Sequence, residues 1–212
     1  MSNVEKPAAS ILIMRRIRIA LWVAVAVALG MLGMLSAGIN PLRDMSLDKL
    51  PLAASFGGPF ELTSKDGARF QSSTLDGKPY AVFFGFTNCP DICPTTLLDA
   101  SNHLRDLGSQ ADRLNIVFIS VDPERDTPEH LRAYLASFDP RIIGLTGTPK
   151  EIADVARAFR IIYEKAPTSG GYTLNHSASM LLIDSKGQFS GTVSFQEPQK
   201  TQLEKLKRHS QR

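Results

Sequence analysis

The chain has 212 residues, room for one domain of ordinary size plus an accessory segment, with 43% hydrophobic and 21% charged residues. Those fractions exclude wholesale disorder and a multi-span membrane protein. The formal net charge of +3 sits in residues 1–18, where Lys6, Arg15, Arg16 and Arg18 oppose Glu5, so the remainder is neutral and lacks the basic, aromatic-interleaved patch of a nucleic-acid binder.

Residues 1–18 read as a basic cytoplasmic N-terminus. Residues 19–42 are 24 positions without a charge, and a helix of that length reaches roughly 36 Å against a hydrocarbon core of about 30 Å. A cleaved signal peptide is the rival reading, but its apolar core spans about 7–15 residues. Only Ser36-Ala37-Gly38 resembles a cleavage site, so a retained single-pass anchor is expected. Arg15, Arg16 and Arg18 precede the span and a mixture of charges succeeds it, which keeps the N-terminus in the cytoplasm and exports the C-terminal domain. The expected location is a bacterial inner membrane with the domain in the periplasm; the alternative is the mitochondrial inner membrane facing the intermembrane space.

Residues 43–59, with Pro51, Gly57, Gly58 and Pro59, read as a linker, and residues 60–212 as the folded domain. Phe60-Glu61-Leu62-Thr63, the turn Asp66-Gly67 and residues 68–71 form a short hairpin. Residues 80–86 are apolar throughout, as in a strand covered on both faces. A helix is expected over 95–107, a second buried strand over 116–121, and a helix entered at Asp126-Thr127-Pro128-Glu129. Next come a brief strand over 142–145 and a helix begun by Thr148-Pro149, and Ile161-Ile162-Tyr163 reads as extended. Tyr172-Thr173-Leu174-Asn175-His176-Ser177 reads as a polar loop. Residues 179–184 and 190–195 make a terminal hairpin, and residues 202–207 a last helix. The order β-α-β-α-β-α-β-β-α predicts an α/β sandwich with a central mixed sheet, parallel in its first part and antiparallel at its close.

Chemistry concentrates where the strand over 80–86 meets the next helix. Cys89 and Cys93 are the only cysteines, too few for a disulfide framework. The C-x-x-x-C spacing puts both sulfurs on one side of a helical turn, open to a disulfide or to one metal ion. A first-turn position for Cys93 predicts a lowered thiol pKa from the helix amides. Two thiolates plus one imidazole suit copper better than structural zinc or an iron–sulfur cluster, each of which asks for four ligands. The bland alternative is an inert disulfide or two core thiols. Among the histidines, His103 lies about 15 Å along the helix from Cys93 and reads as a surface or packing residue. His130 reads as an exposed helical residue and His209 as part of an exposed basic tail. His176 stays one possibility among these on spacing alone.

The run Phe84-Gly85-Phe86-Thr87-Asn88-Cys89-Pro90-Asp91-Ile92-Cys93-Pro94 resembles the signature of the Sco (SenC) copper proteins of cytochrome oxidase assembly. Ser120-Val121-Asp122-Pro123-Glu124-Arg125-Asp126-Thr127-Pro128 is similar to the family's second motif, and His176-Ser177-Ala178-Ser179 to its histidine motif. The resemblance covers about residues 60–198. It implies a thioredoxin-like, peroxiredoxin-related fold binding one copper ion, Cu(I) or Cu(II), through Cys89, Cys93 and His176, with Asp122 supporting the site without touching the ion. It further implies a metallochaperone serving the binuclear copper site of cytochrome c oxidase subunit II, loaded by an upstream copper donor. The alternative is a thiol–disulfide reductase that keeps the subunit II cysteines reduced through a redox-active Cys89–Cys93 pair. A third, a peroxiredoxin-type peroxidase, requires peroxide consumption by a thiol donor. Either main role calls for a periplasmic thioredoxin-like reductant, because only reduced thiols ligate copper. The chain departs from many members in having Asn175 where they place Asp before the histidine, which removes a charge beside a ligand.

Overall fold

The computed structural model describes residues 8–36 and 56–212. The chain divides into two units, residues 1–53 and 54–212. In the first, helix α1 covers Ala8–Ser36, and apolar side chains such as Trp22 and Leu29 are exposed on it. Among the described residues no helix is long and apolar enough to cross a membrane; the last six positions of the expected span, 37–42, and most of the expected linker lie outside the described residues.

In the second unit the described residues form nine strands and four α-helices, in the alternation read from the sequence. The strands are β1 (Glu61–Ser64), β2 (Arg69–Gln71), β3 (Tyr80–Gly85), β4 (Asn115–Ser120), β5 (Ile142–Thr146), β6 (Tyr163–Thr168), β7 (Gly171–His176), β8 (Met180–Ile183) and β9 (Phe189–Val193). The helices are α2 (Ile92–Asp106), α3 (Pro128–Leu135), α4 (Pro149–Ala158) and α5 (Gln199–His209). Seven strands form one sheet in the order β2-β1-β5-β4-β3-β8-β9. β3, β4 and β5 are parallel neighbours, while β1 and β8 pair antiparallel at either side. This is an α/β, thioredoxin-like arrangement around a mixed sheet.

The parallel centre is apolar because both its faces are covered. Phe83, Phe84, Val117, Phe118 and Ile119 are each 0% exposed. Successive strand residues point to opposite faces, so Phe84 packs its ring 5.6 Å from Phe159 at the end of α4, while Phe83 and Gly85 face Phe118 and Cys93. Two helix starts use local caps: the Thr127 hydroxyl accepts from the His130 amide, and Thr148 with Glu151 closes a reciprocal capping box ahead of α4.

Three local expectations are corrected. Residues 172–177 are not a loop: β6 and β7 make a separate two-stranded sheet whose register runs from Tyr163↔His176 to Thr168↔Gly171. β7 alternates, with Tyr172, Leu174 and His176 turned inward and Gly171 and Asn175 exposed; the polar residues of its outer face disguise it in the sequence. Helix α2 begins at Ile92 rather than near residue 95, so Cys93 is inside it. His209 is 2% exposed, not solvated. The last helix extends to it, and its ring meets the Tyr80 carbonyl at 3.2 Å and Ser190 Oγ at 3.2 Å.

Candidate metal centre

The parallel strand β3 ends at Gly85, and the chain turns through Thr87 and Cys89 into α2. The turn is held from beneath by a buried carboxylate. Asp126, 0% exposed, accepts the Thr87 amide at 3.0 Å, the Thr87 hydroxyl at 2.6 Å and the Ser120 hydroxyl at 2.5 Å. A charged acceptor holding three donors makes strong bonds and fixes the loop rather than leaving it to solvent. His130 Nε2 reaches Thr87 Oγ1 at 3.0 Å; that hydroxyl already donates to Asp126, so the imidazole donates to it. His130 therefore braces the loop from behind and holds no ligand position.

The loop places Cys89 half-buried at the surface and Cys93 fully buried one helical turn on. The Cys93 amide donates to Cys89 Sγ at 3.4 Å. β7 delivers His176 to the same spot, with its Nε2 3.4 Å from Cys93 Sγ. Its Nδ1 lies 2.9 Å from the Ser177 carbonyl; that oxygen can only accept, so Nδ1 carries a proton and Nε2 is the nitrogen turned toward the sulfurs and available to a metal. Phe86 and Phe83 stand edge-on to the imidazole at 5.7 and 6.2 Å and fix its plane.

All three ligand atoms lie within 4.8 Å of one another. Metal–sulfur bonds of about 2.3 Å and metal–nitrogen bonds of about 2.0 Å put ligand atoms roughly 3.5–4 Å apart around one ion. The donor set, two sulfurs and an imidazole with no carboxylate, selects a soft or borderline metal. A cleft of about 310 Å³ opens onto the site between Phe86, Cys89, Pro90, Ile92 and His176.

The thiol asymmetry is the reverse of the one expected for a first-turn Cys93. Cys89 is pulled down to about 4, chiefly by the hydrogen bond from the Cys93 thiol, with burial opposing, and then by His176 and the amides of the helix start. Cys93 is pushed up by that same bond to the Cys89 thiolate and by burial. The amides at the start of α2 point back at Cys89, so the preceding sulfur collects the stabilisation expected for Cys93. The pair loses one proton readily and holds the second.

Asp122 sits deeper than its motif suggests. It is 1% exposed and bonds to none of the three ligand atoms; it pairs with Arg125 and accepts the Tyr172 hydroxyl at 2.7 Å. Through Tyr172 it is linked to strand β7, which carries His176. His103, on α2, is a packing residue, 4% exposed and 3.3 Å from Gln202. Two supporting residues are not singled out by sequence reasoning. Asp126 reads there as part of a helix start and of the second motif, with no role of its own, although a carboxylate shortly after a buried strand is an available signal. Gly85 closes an otherwise bulky strand, and a Cβ there would lie 2.9 Å from Cys93 Sγ.

Comparison with known proteins agrees with this arrangement. The SCO1/SenC family model matches residues 48–211. The SCO2-like protein RP587 of Rickettsia prowazekii is 39% identical over 160 residues, covering 70% of this chain and 78% of that protein. The structure of Bradyrhizobium japonicum ScoI with copper bound is 45% identical, with 73% of this chain and 99% of that chain covered, and superposes with a TM-score of 0.68. A structure of BsSco, described through its disulfide switch as a member of the Sco family of cytochrome c oxidase assembly proteins, is 26% identical. That match covers 74% of this chain and 95% of BsSco, with a TM-score of 0.60. With the match extending over most of its length and the Cys-Cys-His cluster in place, the chain belongs to the SCO1/SenC family.

Proposed function

We propose that this chain is a membrane-anchored metallochaperone that binds one copper ion through Cys89, Cys93 and His176 and assists assembly of the binuclear copper site of cytochrome c oxidase subunit II. The observation that carries the reading is the convergence of two sulfurs and one imidazole nitrogen within 4.8 Å at the mouth of a cleft. Copper bound in a relative that is 45% identical supports the choice of metal. The thiolates hold Cu(I), the imidazole extends the set to one that also suits Cu(II), and half-exposed Cys89 gives an incoming ligand access to the cargo. An upstream copper donor loads the site.

The anchor rests on the uncharged run over 19–42 and the arginines before it, which by the positive-inside rule direct the domain to the periplasm of a bacterial inner membrane. Residues 43–59 serve as the tether and residues 60–212 as the copper-binding domain. Titration of the protein with Cu(I) is expected to end at one equivalent, with Cys89→Ala, Cys93→Ala and His176→Ala each weakening binding. Full affinity in the double cysteine variant would end the proposal.

The thiol asymmetry favours a second reading, reduction of subunit II cysteines. The Cys89 thiolate attacks the partner disulfide, forming a mixed disulfide and expelling one partner thiolate. Cys93 then attacks Cys89 Sγ, closing the Cys89–Cys93 disulfide; its proton and the released electron pair leave with the second partner sulfur. A thioredoxin-like periplasmic reductant resets the pair. The histidine separates the two roles: if His176→Ala leaves oxidase assembly intact while either cysteine change abolishes it, reduction is the main role.

A further inference from the structure

The imidazole reaches the sulfurs from a hairpin that does not belong to the main sheet. β6 and β7 pair only with each other among the described strands, so no ladder of backbone bonds fixes their position against β3 and α2. Leu174 packs into the core and Lys165 pairs with Glu124 at 2.7 Å; the remaining hold is a group of side chains gathered around the residue four positions before His176. Residues i and i+4 of a strand share a face, and Tyr172 therefore turns inward on the side that carries Leu174 and His176.

Tyr172 is gripped from three directions. Its hydroxyl donates to Asp122 Oδ1 at 2.7 Å. Its carbonyl accepts from Arg125 Nη1 at 2.9 Å. The Arg125 guanidinium lies 3.9 Å from the centre of its ring and 5.9 Å from that of Phe86, the same Phe86 that stands edge-on to His176. Asp122 completes the triangle by pairing with Arg125 Nε. The Arg125 Nη2 is buried with no hydrogen-bond partner among the described residues, so the guanidinium is committed to this stack rather than shared with other acceptors. A planar cation that bonds a carboxylate, a carbonyl and two ring faces at once is a role lysine does not fill.

We propose that Asp122, Arg125 and Tyr172 are positioning residues, a latch that holds the β6–β7 hairpin against the cysteine loop and so sets His176 in place for the metal without touching it. The inference rests on the proposed copper binding and deepens it. Holding the hairpin removes a cost that metal would otherwise have to meet in ordering it. Releasing the latch leaves the two thiolates on their rigid loop with the imidazole absent part of the time. Thiolates alone still suit Cu(I), whereas Cu(II) draws more on imidazole, so the latch weighs on Cu(II) more than on Cu(I).

The test uses the full chain in detergent, as Arg125→Ala and Tyr172→Phe, the second retaining the ring and losing the hydroxyl that meets Asp122 at 2.7 Å and Glu124 at 3.5 Å. Amide hydrogen exchange on the metal-free protein is expected to quicken tenfold or more across residues 163–176 in Arg125→Ala, less in Tyr172→Phe, with β3 and β4 unchanged. Loaded with Cu(II), Arg125→Ala is expected to take on the absorption spectrum of His176→Ala while its Cu(I) affinity falls less than tenfold. Unchanged exchange in the hairpin of both variants overturns the latch, as does quickened exchange throughout the domain. A Cu(II) spectrum identical to that of the unsubstituted protein, despite a loosened hairpin, overturns the positioning of His176. A chain that binds no copper in any form defeats the copper reading instead, and the metal-free exchange then judges the latch alone.

Discussion

Replacing Gly85 with alanine adds one methyl group at the place where strand, helix and metal centre meet. A Cβ built there lies 2.8 Å from a ring carbon of Phe118, 2.9 Å from Cys93 Sγ and 3.2 Å from a ring carbon of Phe83. All three neighbours are 0% exposed, so none can swing into solvent. Ordinary contact asks for about 3.5–4.0 Å, which requires the sulfur to move by roughly 0.6–1.1 Å. Overpacking of this kind costs about 1–3 kcal/mol. The displacement falls on a ligand atom 3.4 Å from His176 Nε2, and disturbing what supports a metal ligand lowers affinity about 10–100-fold. Gly144→Ala is the matching control: its Cβ would collide with Leu135 Cδ1, in a contact between β5 and α3 that contains no ligand. Urea unfolding of the metal-free proteins is expected to show both variants destabilised, and Cu(I) competition titration to show only Gly85→Ala weakened at temperatures where both stay folded. Equal copper affinity in the two variants, or a Gly85→Ala protein as stable as the parent, refutes the packing argument.

The thiol asymmetry predicts that alkylation of the reduced, metal-free protein at pH 6 modifies Cys89 rapidly and spares Cys93, because Cys89 is held near 4 and Cys93 well above its usual range; a rate that rises only near an ordinary thiol pKa of about 8.5, or labelling of Cys93 first, contradicts it. Asp126→Asn sets an amide group against the Thr87 and Ser120 donors that the carboxylate accepts; a loss of about 1–3 kcal/mol is expected in urea unfolding, and no loss would show that the carboxylate does not hold the loop. Burial lowers the pKa of His209 below its ordinary 6.5, so the unfolded chain binds the proton more readily. The contribution is complete above pH 6.5 and is lost as pH falls through the lower folded value. His209→Gln is therefore expected to flatten the fall in melting temperature below pH 6.5, and an unaltered pH profile would count against it.

The sulfurs and the imidazole differ in how legible they are, and the difference is physical. Cys89 and Cys93 lie on one short loop between a wholly apolar strand and a helix, and local rules of periodicity and spacing suffice to put two sulfurs together there. His176 is 83 residues beyond Cys93, and no local rule connects them; only the resemblance of whole motifs points to it. The hairpin that carries it is hidden because only one face of β7 is apolar and the strand belongs to a small sheet of its own. The direction of the thiol shifts is hidden for a related reason. A helix start lowers the pKa of whichever sulfur its amides face, and that depends on a turn geometry set by Asp126, which lies 39 residues beyond the Thr87 it holds. A long-range contact likewise explains why Asp122 is visible in the sequence and its partner is not. The motif marks Asp122, but Tyr172, the group that links it to the ligand strand, is 50 residues away. A metal centre assembled this way has one rigid half, built by the strand–loop–helix unit, and one half docked by side chains alone. Substitutions in the first half are therefore expected to change whether metal binds, and substitutions in the docked half to change which oxidation state is held.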